Sequence, residues 1–179
     1  MSQAPITVLG IPIPSDAPVF LAVLGVHVAA SLMCVVTGAV AMLSPKGVGQ
    51  HPRFGTLYFW GLVVVFATMS VLAAMRWAHD YHLFILGVLS FTAAFVGRRA
   101  APSRTPRRIR VHVIGMGLSY ILLLTAFYVD NGKNLPLWRL LPPLAYWLVP
   151  LAVGVPIMVR AFQNHPLLRS HPPVREGAA

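Results

Sequence analysis

The chain has 179 residues, 57% of them apolar and only 10% charged, against about half and about a quarter in a soluble domain, which excludes an ordinary water-soluble globule. Its 14 Lys and Arg against 4 Asp and Glu give a formal charge of +10. Such a surplus would suit a nucleic-acid partner if apolar runs of about twenty residues did not separate the charges, so membrane topology explains it better and no nucleic acid is expected.

Residues 1–16 hold no Lys or Arg and no small-residue cleavage site behind a short apolar core, so they are read as a retained extracytoplasmic arm and not a removed signal peptide. Within it, ITVLGIPIP (Ile6 to Pro14) has β-branched residues and two prolines, which favour an extended arm over a helix. From 17 to 160 the sequence predicts an all-α integral membrane bundle of five transmembrane helices, because a helix needs about 20 apolar residues to cross hydrocarbon.

The first span, 17–43, carries His27, Ser31, Cys34 and Gly38 on one helical face, which should look into the bundle. A single cysteine allows no intrachain disulfide and no cysteine-based metal cluster. SPKGVGQHPR (Ser44 to Arg53) breaks the apolar run, and the second span follows at 54–75. RWAHDY (Arg76 to Tyr81) leads to the third and shortest span, 82–98, which opens at His82. The basic stretch GRRAAPSRTPRRIRV (Gly97 to Val111) is the longest link, and its two prolines argue against a regular helix through it. It is a topology determinant, with anionic lipid headgroups as its partner.

The fourth span, 112–129, places His112, Gly115 and Ser119 on one face, where the glycine would admit a planar group or another backbone. DNGKNLP (Asp130 to Pro136) then precedes a fifth span, 138–160, in which Pro150 and Pro156 should bend the helix. The remainder, 161–179, is expected to be a disordered cytoplasmic tail.

Loop charge sets an orientation. An outside N-terminus puts Lys46, Arg53, Arg98, Arg99, Arg104, Arg107, Arg108, Arg110, Arg160, Arg169 and Arg175 in the cytoplasm, eleven of fourteen, and leaves Arg76, Lys133 and Arg139 outside. Trp77, Tyr81, Tyr128 and Trp138 then gather at the outer interface, as do Asp16, Asp80 and Asp130. The expected location is a bacterial inner membrane, multi-pass, with the C-terminus cytoplasmic.

Ionisable groups inside a span are costly and are functional candidates. His51 and His112 stand at the cytoplasmic ends of two helices and count to the same level. His27 counts to about 5 Å beneath the outer boundary, near the level of His82. Two histidine pairs on four helices would suit two b-type haems, each iron held axially by neutral imidazoles: His51 with His112, and His27 with His82. Such a protein would pass electrons to a membrane or redox partner. The alternative is a non-catalytic accessory subunit or small-molecule carrier whose histidines lock helix packing or meet carbonyls and headgroups. His79, His165 and His171 are read as solvated. Other chemistries lack their parts: no carboxylate is predicted in any span to serve a zinc hydrolase or a proton-coupled transporter, and no oriented triad accompanies Cys34 or a serine.

HPRFGTLYFW (His51 to Trp60) resembles the HRxxGxxY signature, at the entrance to a second transmembrane helix, of the bacterial membrane family known as domain of unknown function 2306. Here a proline follows His51 and the arginine falls at Arg53. HVAASLMCVVTGAVAML (His27 to Leu43) is similar to that family's first helix, and the stretches from His82 to Ala100 and from Val111 to Trp138 to its later ones. The resemblance implies a small multi-span inner-membrane protein with histidines at helix ends, mapping onto His27, His51 and His112. It implies no activity.

Overall fold

The computed structural model describes residues 6–8, 11–13, 15, 17–45, 49–101, 105–164 and 168. Asp16, Lys46, Arg104, His165, Arg169, His171, Arg175 and nearly all of the expected tail lie outside these residues, so the readings placed on them have no structural counterpart here. In the arm, β1 (Ile6–Val8) and β2 (Ile11–Ile13) pair antiparallel with Ile6 opposite Ile13, an extended conformation as the prolines and β-branched residues require.

Five helices follow: α1 (Pro18–Leu43), α2 (Gln50–Met75), α3 (Trp77–Ala100), α4 (Pro106–Asn131) and α5 (Pro143–Asn164). All five are long and apolar enough to cross a membrane. Consecutive helices pack on one another, and α1 also meets α4. Large apolar side chains such as Leu32, Trp60, Ile85, Leu89 and Leu148 remain exposed, as surfaces solvated by lipid should. The chain is a multi-pass helical membrane bundle.

Every helix after the first departs from its expected bounds, and proline is the main reason. Pro52 lies in the first turn of α2 and Pro106 opens α4, positions where the missing N–H has no helical acceptor to lose, so each starts a helix that the sequence reading began later. Gly49, just before α2, holds φ 107°, open in practice to glycine alone at that ψ of −124°. The basic link is accordingly short: α3 keeps Arg98 to Ala100 and α4 takes Pro106 to Arg110. Between α2 and α3 only Arg76 is non-helical, its guanidinium 3.3 Å from Asp80 in the first turn of α3. A carboxylate there also favours the positive end of the helix dipole. Asp80 and Asp130 therefore belong to helix ends, where the sequence reading had placed them in links.

At the other end of the chain the correction runs both ways. The segment Trp138–Leu140 is a 3-10 turn, and α5 starts only at Pro143 because Leu141, preceding Pro142, is forced into an extended conformation at ψ 150°. The helix then continues through Pro150 and Pro156 to Asn164, so 161–164 are helical and not part of a disordered tail. Trp138 stacks on Tyr128 with ring centroids 3.8 Å apart, joining two of the four aromatic residues expected at one interface.

Candidate functional site

The connections that turn α1 into α2 and α3 into α4 lie at the same end of the bundle, and each is followed by a histidine within the first two turns of the next helix. His51 is the second residue of α2 and His112 the seventh of α4. Their rings meet with centroids 6.0 Å apart and planes at 83°. The two are level, as counting along the spans predicts, although 61 residues separate them.

Each ring is held in the same manner. His51 Nδ1 lies 2.7 Å from the carbonyl of Ala41, and His112 Nδ1 lies 3.0 Å from the carbonyl of Gly97. Both carbonyls belong to the last turn of a helix, where no following turn supplies an N–H. A carbonyl can only accept, so Nδ1 donates in both rings and Nε2 is the nitrogen that carries the lone pair in the neutral imidazole. The two bonds cap α1 and α3 and fix both tautomers at once.

Glycine brings the second of these helix pairs together. A Cβ built at Gly115 would lie 2.6 Å from the Ala93 carbonyl oxygen and 2.7 Å from Gly97 Cα, so the backbones of α3 and α4 touch one turn from His112. The open face next to His112 is thus used by a backbone, one of the two uses the sequence allowed.

The other two histidines have different neighbours. His27 Nδ1 lies 2.9 Å from Thr68 Oγ1. Thr68 gives its own proton to the Val64 carbonyl at 2.8 Å, so the imidazole donates to the hydroxyl across the α1–α2 contact. His82 sits beside Trp147 of α5, centroids 6.4 Å apart, and against Tyr81 at 5.6 Å. His27 thus faces α2 while His82 faces α5, and no ring contact joins them among the described residues. His79, in the first turn of α3, is exposed. No cluster of three or more His, Cys, Asp or Glu suited to a metal ion occurs among the described residues.

No protein family, no curated protein and no solved structure matches the chain. What the site can do is therefore argued from its own groups, and these include side chains the sequence reading overlooked. Tyr58 follows His51 by seven residues and Ser119 follows His112 by seven, two helical turns toward the bundle centre in each case. Their hydroxyls are hydrogen-bonded at 2.5 Å, and both residues are fully buried. Ser90 Oγ donates to the Ser119 carbonyl at 2.9 Å, and Tyr120 Oη donates to the Val35 carbonyl at 3.0 Å, so all four of the first helices are tied at this level. Cys34 is buried against the Tyr58 carbonyl, and Gly38 seats the Tyr120 ring, so the small and polar face of α1 does point inward. The shared seven-residue step from each histidine was the signal available for Tyr58.

Proposed function

We propose that the chain is a b-type haem-binding electron-transfer protein of a bacterial inner membrane, in which His51 and His112 would hold one haem. The observation that carries the reading is their paired geometry. Two separate helix hairpins bring the rings to one level with centroids 6.0 Å apart, so both would be at hand to hold one group. A backbone carbonyl on Nδ1 is the usual outer partner of a metal-bound histidine: it orients the ring and raises the basicity of Nε2. Ala41 and Gly97 supply it on the two sides. Bound there, haem would supply one-electron transfer between its ferric and ferrous states. The protein's own part would be to hold and orient the two rings through the Ala41 and Gly97 carbonyls.

The reading extends to the outer leaflet only weakly, since Thr68 engages His27 and Trp147 flanks His82, and so it rests on the inner pair. It takes in membership of the family called domain of unknown function 2306, whose signature begins at His51, and a redox partner in or at the membrane. It also takes in the orientation with the N-terminus outside, supported by eleven basic residues against three.

A second reading has its own observation. The Nδ1 bonds to Ala41 and Gly97, with that of His27 to Thr68, are what histidines serving only helix capping and packing would make. In that case the protein is a non-catalytic accessory subunit or carrier. Absorption spectra separate the two. Protein purified after expression with ample haem should show a Soret band, and His51→Ala and His112→Ala should each abolish the inner haem while the helices still insert. A colourless wild type, or unchanged haem in both variants, would overturn the proposal.

A further inference from the structure

At the same end of the bundle as the inner histidines, residues of α3 and α4 line an open groove of about 620 Å³. Its walls are of two kinds. Arg99, Arg107 and Arg108 stand at the mouth, and Phe95, Val96 and Val111 line it about one turn toward the membrane centre. The arginines are organised: Arg108 Nη2 donates to the Arg99 carbonyl at 2.8 Å, and the Arg99 guanidinium lies over the Phe95 ring, 5.1 Å from its centroid. All three remain exposed, as do Phe95 and Val96.

Among the described residues nothing nearby balances this charge. Among the described residues the carboxylates are Asp80 and Asp130, at the opposite ends of α3 and α4. Asp80 is about 28 Å from Arg99 along the helix. The single ion pair among the described residues, Arg76 with Asp80, is at that far end too. Three arginines along one groove with no described carboxylate beside them favour an anion, and guanidinium is the side chain best matched to phosphate, through two parallel N–H bonds. The groove is larger than a bare ion requires and falls within the range of organic ligand sites. Its apolar part runs down the helices from the charged mouth, in the direction in which acyl chains leave a headgroup.

We propose that this α3–α4 groove is a binding site for one anionic phospholipid, its phosphate held by Arg99, Arg107 and Arg108 and an acyl chain laid along Phe95, Val96 and Val111. The site rests on the chain being a membrane bundle and not on haem. It differs from general attraction of a basic loop to an anionic surface, because it requires both the arginines and the apolar floor.

The test uses the full chain purified in a neutral detergent and examined by native mass spectrometry with added phosphatidylglycerol or phosphatidylcholine of identical acyl chains. One phosphatidylglycerol per chain should be retained, with preference over phosphatidylcholine of about tenfold or more, equivalent to about 1.4 kcal/mol. Millimolar inorganic phosphate should not displace it. Replacing Arg99, Arg107 and Arg108 by Gln should remove the preference, and so should Val96→Trp, which fills the groove and leaves the charge unchanged. Arg139→Gln, at the other end of the bundle, should retain it. Equal retention of both lipids, displacement by inorganic phosphate, or wild-type retention in the Val96→Trp protein would each overturn the site. Should the triple variant fail to insert, the Val96→Trp result decides alone. Haem content is not a readout of this experiment, so its outcome is independent of the electron-transfer reading.

Discussion

A side chain at position 115 has no space to occupy. The atoms that a Cβ there would meet at 2.6–2.8 Å are the Ala93 carbonyl oxygen and the Gly97 Cα and nitrogen, all backbone, so no rotamer change relieves the clash and the helices must separate. Gly115→Ala should destabilise the bundle by about 1–3 kcal/mol, the usual cost of overpacking a tight contact. Because Gly97 also supplies the carbonyl that holds His112, the same substitution should lengthen that bond and, on the proposed electron-transfer reading, lower haem retention along with stability. Gly25→Ala is the control, since nothing lies within 4 Å of the added carbon and alanine is the better helix former. Equilibrium unfolding in mixed micelles measures both variants. Equal stability of the two would show that α3 and α4 do not depend on this contact.

Among elements, the first four helices form two hairpins built alike. Each turns at the same end, carries a histidine near the start of its second helix, bonds that histidine to the last turn of its first helix, and places a hydroxyl residue two turns further in. The Tyr58–Ser119 bond joins the hairpins across the centre. Tyr58→Phe, Ser119→Ala and the double variant should reveal a coupling of about 0.6 kcal/mol, and not above about 1.7 kcal/mol, the range for hydrogen bonds between membrane helices. Unfolding measurements on the three variants give the coupling, and zero would mean that the hydroxyls find other partners. The span count and the common level of His51 and His112 were legible because hydropathy and a 1.5 Å rise per residue are local quantities. Helix starts were not, because Pro52 and Pro106 read as breakers when each lies in a first turn, whereas the fifth span reads through Pro142 and Pro143, where the helix only begins. Thr68 as the partner of His27 was beyond reach of the sequence for a different reason: nothing local records which face of α2 meets α1.

For the whole molecule, charge and aromatic residues sort to opposite ends. One end of the bundle has Arg53, Arg98, Arg99, Arg107, Arg108, Arg110 and Arg160 with no described carboxylate near them. The other has Asp80, Asp130, Trp77 and the Tyr128–Trp138 stack, with Arg76, Lys133 and Arg139. Translocation across the inner membrane disfavours Lys and Arg in short loops, whereas acids contribute little, so the first end should stay in the cytoplasm. Five spans among the described residues then put Pro18 and Asn164 on opposite sides. A reporter active only in the periplasm should be silent when fused after Ala179 and active when inserted between Gly132 and Leu137. The reverse pattern would mean that the basic end is exported. The α3–α4 groove would then face the outer leaflet, and the orientation argued from eleven basic residues against three would fail.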